Sequence, residues 1–295
     1  MRVLLVDVDS KIPNLALMKI SAWYKAQGDT VGFCIENPDK VYISCIFPKN
    51  KGQAKGISSF YPDAQIDIGG SGIDLKKELP PHIEHMKPDY DLYPSTYSQD
   101  YTSRGCIRKC GFCFVPEKEG GIQIWHHPST FHDDRFDTCM IMDNNLFAAP
   151  KDWQDSVLKW FVDNNVKMLS PQGWDIRLLN THRARMLWLI KHAGIIHFAW
   201  DSTGDEERVI KGVDLLKDIG FDLKHQITFY VLAGCDLPGY DPSFGDALYR
   251  CRRLREMGTN AFVMRYHTRD KLINKLAKWA NRPWAYWSQQ FEVSA

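Results

Sequence analysis

The feature that most restricts the fold is a repeat of strand-like apolar runs separated by helical patterns. From about residue 97 the candidate strands are residues 97–103, 138–143, 167–171, 195–201, 226–232 and 261–266. Between them apolar residues keep helical spacing: Trp153, Val157, Trp160 and Phe161, then Val209, Val213 and Leu216, then Leu248, Cys251 and Leu254. Three helical patterns run into KHAG at Gly194, KDIG at Gly220 and REMG at Gly258. Each is expected to put a basic residue in the last turn and glycine at a left-handed cap. Six such units are too few for an eight-stranded barrel. The expected architecture is a partial (β/α)6 TIM-type barrel, open on one side, with its chemistry at the C-terminal ends of the strands.

The N-terminal part also alternates strand and helix. Residues 2–8, 30–35, 40–47 and 64–68 read as strands, and a helix is expected from Pro13 to near Gly28. This is a small α/β unit, expected to carry a parallel sheet. The segment LPPHIEHMKPDYDLYPS holds Pro80, Pro81, Pro88 and Pro94, a density that blocks regular structure. The division is therefore residues 1–78, a proline-rich linker at 79–95, and residues 96–295 with an aromatic tail around Trp279, Trp284, Tyr286, Trp287 and Phe291.

Lysine and arginine number 37 against 36 acidic residues, a net charge of +1 that gives no long-range pull toward nucleic acid or anionic membrane. No stretch approaches the roughly 20 apolar residues of a membrane span. The N-terminal apolar run is too short and too charged for a signal peptide. A cytoplasmic protein is expected. Of 8 cysteines, Cys34, Cys45, Cys139, Cys235 and Cys251 are scattered and read as buried reduced thiols.

The other three stand together in TSRGCIRKCGFCF, after the first strand of the repeat. Cys106, Cys110 and Cys113 have the spacing C-x3-C-x2-C. Three soft thiolates on one loop can hold three corners of a cubane and leave the fourth iron open. Arg104, Arg108 and Lys109 would stabilise thiolates. A zinc site with His126, His127 or His132 as fourth ligand is the plainer alternative, though zinc favours a second cysteine pair that the chain lacks.

This loop, with Phe112 just before its last cysteine, resembles that of the radical S-adenosylmethionine (SAM) superfamily. The resemblance implies a [4Fe–4S] cluster on the three cysteines and SAM bound to its open iron. It also implies a reductant such as flavodoxin or ferredoxin. After the second strand, IMDNNLF replaces the family's usual Gly-Gly-Glu-like segment. It is similar to a variant found in members with a cobalamin-binding-like N-terminal domain, which makes Asp143, Asn144 and Asn145 candidate SAM contacts. SPQGWDIRLL is similar to a segment of the same subgroup, with Gln172 and Arg177 as candidates. Asp175 and Arg177 read equally well as a structural pair. Arg265 is the candidate after the sixth strand. Asp201 reads as part of a helix cap, Tyr230 as packing, and His267 as a surface histidine.

By the same resemblance residues 1–78 are Rossmann-like. Members that bind cobalamin there use a D-x-H-x-x-G loop, and this chain reads DVDSKIP instead. Cobalamin is thus an option without motif support. The expected function is radical SAM oxidoreductase or transferase chemistry on a small-molecule substrate that the sequence does not define. The alternatives are a zinc- or cluster-stabilised binding module without catalysis and an RNA-modifying enzyme, the latter disfavoured by the charge balance.

Overall fold

The computed structural model describes residues 1–267 and 269–292. The strands are β1 Arg2–Asp7, β2 Thr30–Gly32, β3 Lys40–Ser44, β4 Gln65–Gly69, β5 Ser98–Asp100, β6 Ser103–Arg104, β7 Gln123–Ile124, β8 Thr138–Ile141, β9 Lys167–Leu169, β10 Ile196–Ala199, β11 Ile227–Ala233 and β12 Asn260–Arg265. The helices up to the middle of the chain are α1 Leu15–Ala26, α2 Lys51–Ser58, α3 Pro81–Glu84, α4 Val115–Lys118, α5 Pro128–Phe131 and α6 Lys151–Asn164. They continue with α7 Thr181–Leu189, α8 Glu206–Ile219, α9 Leu223–Gln226, α10 Phe244–Glu256, α11 Lys271–Ala280 and α12 Pro283–Ser288. The chain is mixed α/β with parallel sheets. It divides into two compact units, and the first takes back residues 117–119 and 126–139 after the chain has left it at Tyr101.

In the first unit the strands lie in the order β2-β1-β3-β4, all parallel. Successive side chains of β1 point to opposite faces. Val3 and Leu5 therefore join Leu17, Ile20 and Tyr24 of α1, while Leu4 joins Val41, Ile43 and Ala54 on the other side. Coverage of both faces explains why these strands read as unbroken apolar runs. Pro13 lies ahead of α1 rather than inside it; Asn14 is the cap, its side chain accepting from the Leu17 N–H at 3.1 Å. Helix α2, with few apolar residues, was not anticipated; it buries only Ala54. The proline-rich segment carries the single turn α3, and its Ile83 is packed in the core of this unit.

In the second unit β10, β11 and β12 are hydrogen-bonded in parallel, and β8 neighbours β9. Single parallel bridges join Met168 to His192 and Trp174 to Phe198. Parallel pairing needs a long crossover between strands, which the helices supply. Phe198, Phe229, Val231, Leu216 and Leu254 are fully buried, each contributing about 1.5–3 kcal/mol of hydrophobic stabilisation. The tail is core in part: Trp279, Tyr286 and Phe291 are buried, and Trp284 is exposed. Arg250 of α10 is also fully buried. It donates to the carbonyls of Trp200 at 2.6 Å and Leu232 at 2.8 Å, tying the C-terminal ends of β10 and β11 together. Of the scattered cysteines Cys34 is exposed, contrary to expectation, and Cys45, Cys139, Cys235 and Cys251 are buried.

The glycine caps hold at two of three places. Gly220 (φ 110°) caps α8, and Gly258 (φ 87°) follows α10. Helix α7 instead stops at Leu189, before KHAG, because residues 190–194 leave the helix to bridge Met168. Gly194 is not among the positive-φ residues. Gly258→Ala should therefore lose about 1–2 kcal/mol to left-handed strain, since its Cβ would meet nothing within 4 Å. Gly194→Ala should stay within ~0.5 kcal/mol of the parent. Urea unfolding midpoints of the two variants check the contrast.

Candidate functional site

Strands β6 and β7 pair antiparallel, Ser103 opposite Ile124 and Arg104 opposite Gln123, and close the base of the cysteine loop. The residue before Cys106 has to be glycine. Gly105 has φ +77°, and a Cβ there would come within 2.2 Å of the Gly121 carbonyl oxygen. Cys106 N–H donates to the Gly120 carbonyl at 3.3 Å, and Cys113 N–H to the Cys110 carbonyl at 3.0 Å. Two sulfurs receive backbone donors: Cys106 Sγ from Arg108 N–H at 3.3 Å and Cys113 Sγ from Val115 N–H at 3.5 Å. Such donors favour the thiolate. All three cysteines are half-buried. Burial raises the Cys110 thiol above its ordinary value, against the pull of the neighbouring Tyr240 hydroxyl and Arg177. The Tyr240 hydroxyl is in turn pushed up to about 12, first by burial and then by Cys110. Its ring meets Phe112 edge-on with centroids 5.0 Å apart.

Asp175 is the centre of the polar network beside this loop. Its carboxylate accepts from Arg177 Nε at 2.7 Å and Nη2 at 3.2 Å, from Arg108 Nε at 3.0 Å, and from Asn145 Nδ2 at 3.4 Å. Burial works to raise the Asp175 carboxyl, but Arg177 and then Arg108 outweigh it and hold it below 3.8. Arg177 Nη1 reaches on to Asp205 at 3.3 Å. Asn145 Nδ2 also points at Cys106 Sγ, 3.5 Å away. The Asn145 Oδ1 atom is buried without a hydrogen-bond partner. A buried acceptor left open in a polar site is an invitation to a donor from elsewhere.

The network thus gathers Cys106, Asn145 and Arg177 of the sequence candidates, and adds Arg108 and Asp175. Asp143 turns away from it. Its buried carboxylate accepts from Thr102 N–H at 2.6 Å, Thr102 Oγ1 at 2.7 Å and Ser103 Oγ at 2.5 Å, and so fixes the start of the cysteine loop. Asn144 is half-buried next to it, and Gln172 is exposed in the turn after β9. Arg265 is exposed at the end of β12 and donates to Asn274 Oδ1 at 2.7 Å; the structure does not bring it into the Asp175 network. Of the cap region read at Asp201, Ser202 and Thr203, Ser202 is the capping residue, accepting from Gly204 N–H. Burial pushes the Asp201 carboxyl up to about 6 against Arg250 and Arg177. Tyr240 lies in a proline- and glycine-rich loop with no motif of its own, so nothing in the sequence pointed to it.

Among the described residues no three His, Cys, Asp or Glu side chains stand close enough together to hold a metal ion. The donor set fits an iron–sulfur cluster: it consists of three thiols, backbone N–H donors on two of the sulfurs, and an open amide oxygen on the residue that touches Cys106. Two of the histidines considered for zinc have other engagements: His126 meets Asp100 and His85, and His127 Nδ1 meets Ser129 Oγ at 2.7 Å. No protein-family model matches the chain, and no curated protein matches it.

Asp143, like Asp201, is pushed up to about 6, by burial that outweighs its Ser103 and Thr102 donors. The folded value exceeds the unfolded 3.8, so each carboxyl's contribution to stability is complete below pH 3.8 and is lost as pH rises to about 6. Unfolding free energy measured in urea should fall across that window, and Asp143→Asn should flatten the fall. A pH-independent stability in the parent protein would show that neither carboxyl carries its proton into that range.

Proposed function

We propose that the chain is a radical SAM enzyme whose Cys106, Cys110 and Cys113 hold a [4Fe–4S] cluster. On this reading β8–β12 with their helices supply five strands of a partial (β/α)6-type barrel, and the first unit is a Rossmann-like domain. The observation that carries the proposal is the junction of Cys106, Asn145 and Asp175. A cysteine of the triplet, a buried amide with an open acceptor and a doubly paired carboxylate meet in one network.

Held by Cys106, Cys110 and Cys113, the cluster would supply the one electron needed for reductive cleavage of bound SAM. The protein's part is to bind, orient and shield. Asn145 Oδ1 accepts a hydrogen bond from the SAM ammonium, the type of donor it lacks within the fold. Arg177 has three of its nitrogens engaged, which leaves N–H donors for the SAM carboxylate. Asp175 positions Arg177 and Arg108 and does not itself meet the ligand. Phe112 and Tyr240 wall one side of the cysteine loop against water. A one-electron reductant such as flavodoxin or ferredoxin completes the system, and the substrate is a small molecule.

Axial histidine ligation of a corrinoid has no support in the loop after β1. That loop offers Asp9 rather than an imidazole. Its carboxylate is taken up by Ile46 N–H at 2.7 Å, Phe47 N–H at 3.0 Å and Asn50 Nδ2 at 2.8 Å. No step is assigned to cobalamin.

The test is anaerobic cluster reconstitution, incubation with dithionite and SAM, and chromatographic assay of 5′-deoxyadenosine. Cys106→Ala, Cys110→Ala and Cys113→Ala should each lose the cluster and reduce the product to background. Asn145→Ala should keep the cluster and weaken SAM binding roughly tenfold or more, the ~1.5–3 kcal/mol of a hydrogen bond to a charged group. Full iron content with undiminished product in any cysteine variant would sink the assignment.

A further inference from the structure

A cavity of about 650 Å³ opens in the second unit where β9, β10 and β11 begin. The Asp175 network, by contrast, follows the C-terminal ends of β8 and β9. Lys167 stands at the start of β9, Trp188 in the last turn of α7, and His225 and Gln226 at the end of α9. Lys191 and His192 complete the polar lining. Their backbone is held to β9: Met168 N–H donates to the Lys191 carbonyl at 2.8 Å, and Ala193 N–H to the Met168 carbonyl at 2.9 Å. This wall is therefore preformed. Ile196 and Phe221, both buried, add apolar surface.

Several of these side chains have donors to spare. Lys191 and Trp188 make no side-chain hydrogen bond, ion pair or ring contact with other described residues. Trp188 is 52% exposed. Gln226 accepts through Oε1 from Asp222 N–H at 2.7 Å, so its amide N–H groups stay open. His225 Nδ1 meets Asp222 Oδ2 at 2.8 Å, which leaves Nε2 uncommitted. His192 Nε2 donates to the Leu187 carbonyl at 2.8 Å, and burial lowers its basicity, so it adds no charge at neutral pH. No Asp or Glu lines the cavity, and its formal charge is that of two lysines.

We propose that this cavity binds a nucleoside monophosphate, with the base against Trp188 and the phosphate at Lys191 and Gln226. Any nucleobase offers a flat face on which an indole can stack. A phosphate dianion suits an ammonium and amide N–H groups as donors. An inorganic anion would leave the indole in water, and an uncharged aromatic would leave the ammonium unpaired. A ligand that carries both groups answers both. The volume lies within the roughly 300–1,000 Å³ of small-molecule sites. Chemistry in βα folds sits at the C-terminal ends of strands, so a ligand held at the N-terminal ends is an effector and not a reactant.

The test is calorimetric titration of the full chain with AMP, GMP, CMP, adenosine and sodium phosphate. It is repeated on Lys191→Gln, Trp188→Ala, Lys211→Gln and a variant with Cys106, Cys110 and Cys113 all changed to serine. One equivalent of nucleotide should bind, more tightly than adenosine or phosphate. Lys191→Gln and Trp188→Ala should each weaken it roughly tenfold or more. Both side chains are exposed, so both variants should fold as the parent does. Lys211→Gln, an exposed position on α8, should bind as the parent does, which sets aside general charge attraction. The triple serine variant should also bind unchanged, which separates this site from the reading of the cysteine loop. No saturable binding of any of the three nucleotides up to about 1 mM would overturn the proposal. So would phosphate binding as tight as theirs, or equal affinity in the parent, Lys191→Gln and Trp188→Ala.

Discussion

The Asp175 carboxylate binds together parts of the chain that lie far apart in sequence. Arg108 of the cysteine loop is 67 residues upstream and Asn145, after β8, is 30 residues upstream. A carboxylate this deeply placed would cost several kcal/mol if unpaired, so its two guanidinium partners are conditions of the fold as well as of any chemistry. Because both arginines answer to one carboxylate, the cysteine loop and the turn after β9 cannot shift independently. Everything proposed for the site presupposes that coupling.

Other buried charges in the same unit do a different job. Arg250 holds the ends of two strands through carbonyls, and Asp143 holds the entry to the cysteine loop through N–H and hydroxyl groups. Neither has an oxygen or nitrogen directed at the Asp175 network in the bonds it makes. Loops at strand ends thus carry two sets of polar residues, one that fixes backbone and one that leaves an acceptor open. Residue type does not separate the two sets, since Asp143 and Asn145 are neighbours in one short segment.

The strands were legible because a parallel sheet covered on both sides requires continuous apolar runs: β10 lies within the run read from sequence, and β11 and β12 each overlap theirs to within one residue at one end. Helix α2 was not, since with only Ala54 buried it offers no apolar stripe. KHAG looked like a helix terminus by composition, yet its residues pair with a strand, a tertiary contact that local pattern does not encode. In the site, the cysteines and Asn145 could be found from spacing and strand ends. The central role of Asp175 could not, because it depends on Arg108, a contact across 67 residues. Tyr240 escaped for the same reason: it joins segments distant along the chain.

The return of residues 126–139 to the first unit bears on synthesis. That unit cannot be completed when residue 101 leaves the ribosome; it must await the stretch through Cys139. At ~5–20 residues per second that wait lasts roughly 2–8 s. The three thiols of the triplet emerge within it, ahead of the segment that finishes the first unit and well before β9–β12 of the second. Vectorial translation thus gives the cysteine loop an interval in the open before either unit can close around its neighbours.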